Sequence, residues 1–148
     1  CVAPDVGGVE RTRALSRRIN VGIAIIDKRR PAPGKSEVMN IVGNIKNKNC
    51  VIVDDIIDTG GTIVNAAKAL KDKDAKDIYV YITHAVLSGQ AVEQIEKSQI
   101  KKLITTDTID NSKKIRGSKK IEIISMAPII SEAMKRIANS TSVSSLFK

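Results

Sequence analysis

Short runs of β-branched and aliphatic residues recur along the chain, and between several of them the apolar positions fall every three or four residues instead. The first pattern is that of strands, the second that of helices laid on a sheet. Residues 1–4 are thereby predicted to be a strand, 9–19 a helix, 21–26 and 37–42 strands, and 51–53 a strand buried on both faces. A helix follows over 62–71, with Ile63, Ala66, Ala67 and Leu70 on one face. Residues 77–83 read as another strand, 91–95 as a helix, 102–106 and 121–125 as two strands, and 126–138 as a last helix with the stripe Ile129, Ile130, Ala133, Met134 and Ile137. In the first helix, Val9, Leu15 and Ile19 are candidates for the buried side, and Arg11, Arg13, Arg17 and Arg18 for the wet side. The order predicts an α/β fold, a doubly wound, mainly parallel sheet flanked by helices, in a single domain over 1–148.

One stretch breaks the pattern. Residues 51–63 read VIVDDIIDTGGTI: a hydrophobic run, two adjacent acids, Asp54 and Asp55, then Asp58, Thr59, Gly60, Gly61 and Thr62 ahead of a helix. In an open α/β sheet ligands sit beyond the carboxyl ends of the strands, so acids placed there face a ligand rather than the core. Glycines allow a tight backbone turn, and the helix that follows starts with unpaired N–H groups and a positive dipole end. Such a loop cradles a phosphate. Thr59 and Thr62 add hydroxyls, and two adjacent carboxylates suit a vicinal diol, so a sugar phosphate satisfies both halves. The plainer alternative is an ordinary strand-to-helix turn capped by Asp58 or Thr59.

Charge narrows the partners. Lys and Arg number 25 against 16 acids, a formal net charge of +9, which suits phosphorylated metabolites, nucleic acid or acidic lipid. Aromatic residues make up only 2%, so the base-stacking platforms of nucleic-acid binders are nearly missing. Cys1 and Cys50 have no metal-ligand spacing and read as free thiols. No apolar run approaches membrane-spanning length and no signal peptide is visible, so the cytoplasm is the expected compartment and no membrane partner is expected. The chain opens on Cys1 within what reads as the middle of a strand, which suggests a fragment.

Other positions carry two readings each. Asp5, at a strand end before Gly7 and Gly8, is either a metal or ligand carboxylate or a helix N-cap. Asp27-Lys28-Arg29-Arg30, followed by Pro31, Pro33 and Gly34, reads as a mobile, strongly positive loop. It is either a solvated surface or a set of cations that closes over transferring phosphates. His84, at the end of a strand, reads as a structural residue more readily than as a general base or ligand. The charged stretch 107–120 is expected to be exposed.

VIVDDIIDTGGTI resembles the phosphoribosyl pyrophosphate (PRPP) binding motif of type I phosphoribosyltransferases and ribose-phosphate diphosphokinases, the PRPP synthetases. PDVGGVERTRAL, DKRRPAP, THAVLSGQA and SVSSLF resemble further synthetase segments in the same order, with Gln90 where Pro is usual and Ser145 where Tyr is usual. The resemblance implies a phosphoribosyltransferase-type fold and transfer of the diphosphoryl group of Mg-ATP to the 1-hydroxyl of ribose 5-phosphate, giving PRPP and AMP. It implies Lys28 and Arg30 as catalytic residues; Asp54, Asp55, Asp58, Thr59, Gly60, Gly61 and Thr62 around ribose 5-phosphate; and Asp5, Asp54 and Asp55 around Mg²⁺. It also implies a substrate contact near Thr105–Thr108, a regulatory site for ADP or phosphate that includes Ser142, Ser144 and Phe147, and a homo-oligomer, a hexamer built from dimers. The family has two similar domains, so the chain corresponds to the C-terminal one, with residues 140–148 packed on the absent N-terminal one and no activity alone. The alternatives are a type I phosphoribosyltransferase and a non-catalytic regulatory or nucleic-acid-binding relative.

Overall fold

Ile52, Ile78, Val80 and Leu103 are wholly buried, and the strands that carry them form the middle of the molecule. In the computed structural model, which describes residues 1–29 and 38–147, the elements run β1 (Val2–Ala3), α1 (Val9–Arg18), β2 (Ala24–Arg29), β3 (Val38–Val42), β4 (Cys50–Ile57), α2 (Gly61–Lys71), β5 (Ile78–Ala85), α3 (Ala91–Lys97), β6 (Lys102–Thr106), β7 (Ile121–Ile124) and α4 (Ala127–Ala138), then a 3₁₀ turn at Ser144–Phe147. The seven strands form one sheet in the order β3-β2-β1-β4-β5-β6-β7. All neighbours pair in parallel except β2 and β3, which form an antiparallel hairpin at one edge. The expected doubly wound, mainly parallel sheet is therefore present.

The chain steps one way from β1 to β2 and the other way from β4 through β7. Right-handed crossovers then put α1 on one face and α2 and α3 on the other. The switch of direction falls between β1 and β4, where the carboxyl ends of adjacent strands part to leave a ligand crevice.

The α2 side holds the core. Ile63, Ala66, Ala67 and Leu70 of α2 and Ala91 and Ile95 of α3 pack on Ile52, Val80, Ile82 and Leu103. Each large aliphatic side chain buried there contributes about 1.5–3 kcal/mol. The opposite face is less covered. Val51 and Val53 are only half-buried, so β4 is not enclosed on both sides as expected. Between α1 and α4 lies a cleft of about 850 Å³ lined by Leu15, Val53, Tyr81, Ile104, Ile124 and Ile129 among others. The α4 stripe does not close it: Ile130, Met134 and Ile137 are exposed.

Five further expectations change. β4 continues through Asp54 and Asp55 to Ile57, because its backbone ladder with β5 persists to the pair Ile57↔Ala85 whatever the side chains are. His84 likewise lies inside β5, opposite Ile56. The charged run is strand as far as Arg29: Asp27 pairs with Asn40 and Lys28 with Met39, since an edge hairpin leaves charged side chains access to water. In α1 the buried residues are Thr12 and Ser16, with Val9 and Leu15 partly buried and Ile19 exposed. Small side chains let this helix lie close to the sheet. Within 107–120, Asn111 is buried and donates through Nδ2 to the Ala85 carbonyl, and Ile115 packs against the core.

Candidate active site

The acid pair stands at the switch point. β4 carries Asp54 and Asp55 toward its carboxyl end, beside the end of β1, from which the chain turns at Asp5 into α1. Adjacent strand residues point to opposite faces. Here both carboxylates are nevertheless reached by one group, Arg11 of α1, whose Nη1 donates to Asp54 Oδ1 at 2.5 Å and whose Nη2 donates to Asp55 Oδ2 at 2.7 Å. Asp54 Oδ1 also accepts the Asp55 N–H at 3.0 Å.

The two acids differ electrostatically. Burial pushes the Asp54 carboxyl above the usual carboxylate range, against the pull of the Asp55 amide and of Arg11. Desolvation pushes the Asp55 carboxyl up as well, but its hydrogen bond with Asp54, Arg11 and backbone amides together outweigh it and draw Asp55 below that range. Asp55 is thus the more acidic and the more exposed of the two.

Past Ile57 the chain bends into the loop that leads to α2. The N-cap is Gly60, at φ +84°, and no side chain caps the helix. That conformation is open to glycine and strained for other residues. Asp58 and Thr59 are therefore not the cap, contrary to the plainer reading of this turn, and among the described residues no side chain caps the first turn of α2. Thr59 and Thr62 are exposed beside it. Asp58 instead ties the loop down. Its Oδ1 accepts Ser88 Oγ at 2.5 Å and its carbonyl accepts the Ser88 N–H at 3.1 Å, while Ile57 O accepts the Val86 N–H at 2.8 Å.

Other candidates surround this centre. Lys28, half-buried, sits at the same sheet edge on β2; Arg30 falls outside the described residues. Asp5 Oδ1 accepts the Gly8 N–H at 2.9 Å and so holds the turn before α1, but the N-cap is Gly8, so Asp5 is not the helix cap that was one of the two roles weighed for it. Among the described residues no three acidic, His or Cys side chains gather as a metal group, so Asp5 does not close a three-carboxylate set with Asp54 and Asp55. Two carboxylates do suit Mg²⁺, which keeps several waters and takes its other oxygens from substrate phosphates. His84, on β5, shares a 2.9 Å hydrogen bond between Nδ1 and Thr108 Oγ1. Thr108 and Thr106 in turn donate to the Thr83 carbonyl.

The tail lies apart. Arg136 of α4 donates to the Ser142 carbonyl at 3.0 Å and to Ser145 Oγ, and Arg18 of α1 donates to the Phe147 carbonyl. Ser142 and Ser144 share a hydroxyl contact at 3.0 Å. Ser142 and Ser145 line a polar cleft of about 400 Å³ with Lys135 and Arg136; Phe147 is exposed.

Comparison with known proteins bears on the family and the fold. Residues 28–148 match the family model described as the phosphoribosyl synthetase-associated domain. The chain belongs to that family. A ribose-phosphate pyrophosphokinase of Clostridium tetani is 56% identical over 146 residues, covering 99% of this chain and 45% of the relative; one of Hyphomonas neptunium is 52% identical over 147 residues, covering 99% and 47%. The chain therefore spans about half the length of the curated relatives it matches. Among solved structures, the phosphoribosylpyrophosphate synthetase of Mycobacterium smegmatis superposes with a TM-score of 0.83 at 30% identity, over 94% of this chain and 44% of that one. A xanthine-guanine-hypoxanthine phosphoribosyltransferase of Helicobacter pylori, at TM-score 0.50 and 21% identity over 82% of this chain and 72% of that one, shares the fold alone. The resemblance to PRPP synthetases is borne out.

Two residues of this phosphoribosyl synthetase-type domain escaped sequence reasoning. Arg11 was placed with the solvated arginines of α1, and only the position of α1 over the end of β4 separates it from them. Ser88 sits in a connection whose approach to Asp58 depends on the β4–β5 register.

Proposed function

We propose that this chain is the ribose 5-phosphate-binding half of a ribose-phosphate diphosphokinase, which transfers the diphosphoryl group of Mg-ATP to the 1-hydroxyl of ribose 5-phosphate. The observation that carries the reading is the acid pair Asp54–Asp55 beside a glycine-capped helix start at the switch point of the sheet. The names of the relatives support it.

In this reading the amides from Asp58 to Thr62 and the hydroxyls of Thr59 and Thr62 hold the 5-phosphate, favoured by the α2 dipole. Asp54 and Asp55 accept from the ribose hydroxyls or hold Mg²⁺, with Asp5 on its outer shell. The metal, when bound, offsets phosphate charge and fixes the triphosphate. The 1-hydroxyl oxygen forms a bond to the β-phosphorus of ATP, the bond from that phosphorus to the α-phosphate oxygen breaks, the hydroxyl proton is lost, and AMP leaves. Lys28 and Arg30 offset the charge that spreads over the transferring group, because this chemistry depends mainly on positioning and electrostatics.

The relatives' other half would supply the adenine contacts, and residues 140–148 would pack on it, with Ser142, Ser144 and Phe147 near an ADP or phosphate effector. A homo-oligomer built from dimers up to a hexamer, and a cytoplasmic location, complete the proposal; no described helix is long and apolar enough to cross a membrane. The test is AMP release from ATP and ribose 5-phosphate by the chain alone and by the chain joined to the N-terminal half of the Clostridium tetani relative. No release alone and release from the joined protein are expected. Exchange of pyrophosphate with a nucleobase by the chain alone would make it a phosphoribosyltransferase instead.

A further inference from the structure

The grip of α1 on the acid pair has a role that the sugar-phosphate reading leaves open. The Arg11 guanidinium takes one oxygen from each carboxylate, Asp54 Oδ1 at 2.5 Å and Asp55 Oδ2 at 2.7 Å. A divalent cation that bridges two carboxylates also takes one oxygen from each. The fork takes one oxygen of each carboxylate, and a cation held by the same pair would stand close to the guanidinium, where two positive groups repel each other. The placement of the fork is built by the fold. α1 starts at the Asp5 turn on β1, so Arg11, one turn in, spans from β1 to the end of β4. The buried Gly8 leaves it space: a Cβ there would stand 3.5 Å from Arg11 Nη1 and 3.2 Å from Pro4 Cδ, and any longer side chain would crowd the guanidinium. Asp54 is the inner partner of the fork, with its side chain 14% exposed.

We propose that Arg11 sets the cation affinity of this site: its guanidinium competes with a divalent cation for the Asp54–Asp55 pair. The inference rests on the reading of that pair as the place of metal and sugar hydroxyls. Arg11 then keeps the pair from holding a free divalent cation tightly, and it raises the concentration at which the metal enters. A lysine at the same position keeps the charge but lacks the fork, so it relieves the competition in part.

The experiment is a Mn²⁺ titration of the whole chain, with free Mn²⁺ read by electron paramagnetic resonance, on the parent, Arg11→Gln, Arg11→Lys and the double variant Asp54→Asn/Asp55→Asn. Arg11→Gln is expected to bind Mn²⁺ about two- to fivefold more tightly than the parent, the scale of one exposed ion pair, with Arg11→Lys between them and the double variant without binding. Arg11→Gln binding equal to or weaker than the parent, with binding still lost in the double variant, overturns the role of Arg11 and leaves the metal reading of the acids standing. Binding kept in the double variant, or missing from every protein, overturns the metal reading and the inference with it. Thermal unfolding of each variant reports folding, and if Arg11→Gln is unfolded, Arg11→Lys decides on the same comparison with the parent.

Discussion

Ser88 donates its hydroxyl to Asp58 at 2.5 Å, and its backbone N–H to the carbonyl of the same residue, so the segment after β5 fastens the loop that starts α2. The two residues are thirty apart in sequence and meet because β4 and β5 run in parallel register to their last pair. Gly60 lies against Ala91 on the same side, its missing Cβ position 3.7 Å from Ala91 Cβ. The proposed phosphate loop is therefore held by its neighbour rather than by its own sequence.

Ser88→Ala tests that fastening. The hydroxyl is on the surface side of the core, so the unfolding midpoint should stay near that of the parent. Ribose 5-phosphate affinity should fall about three- to tenfold, the net worth of one ordinary hydrogen bond. Titration calorimetry and thermal unfolding on the same samples separate the two effects. A lost midpoint with unchanged affinity would make Ser88 a stability residue only.

Gly43→Ala should be strongly destabilising. Gly43 sits at φ +124°, and a Cβ there would come within 2.8 Å of Ala24 Cβ and 2.9 Å of the Ala24 Cα and the Ile23 carbonyl. Backbone atoms cannot move aside cheaply, and the left-handed conformation adds strain. A loss of about 2–4 kcal/mol is expected. For a domain of this size that lowers the melting temperature by roughly 5–10 °C, readable by circular dichroism.

Glu96 supplies a pH dependence. On α3, its Oε1 accepts from Ser118 Oγ at 2.5 Å and from the N–H groups of Lys119 and Lys120 at 3.1 Å, fixing the segment before β7. The Ser118 hydrogen bond, with the two amides behind it, lowers the Glu96 pKa. A depressed folded-state pKa gives stability that is present above the unfolded-state value, about 4.3, and is lost as pH falls through the folded one. The parent should therefore be more stable than Glu96→Gln at neutral pH, and the gap should close as pH drops below about 4. Denaturant unfolding across that range would show it; a gap independent of pH would contradict it.

Much of this was legible in advance. α2 and β6 were readable almost to the residue because their apolar spacing is set by a fully covered face, as Ile63, Ala66, Ala67 and Leu70 show. The acid pair and glycine turn were legible because chemistry there interrupts a hydrophobic run. α1 misled because its buried positions are Thr12 and Ser16, which carry no hydrophobic signal, while its apolar Ile19 stays exposed. α4 misled the other way, with a clear stripe that no described residue covers at Met134 and Ile137. The role of Arg11 depends on which strand end the helix crosses, a fact of topology rather than of local pattern.

The central claim, that the crevice at Asp54 and Gly60 takes a sugar phosphate while the basic edge serves the transferring group, has one direct measurement. Ribose 5-phosphate is titrated calorimetrically with Mg²⁺ into the parent chain, Asp54→Ala and Lys28→Ala. Binding by the parent, lost in Asp54→Ala and kept in Lys28→Ala, is the predicted result. Equal binding by the parent and Asp54→Ala would contradict it.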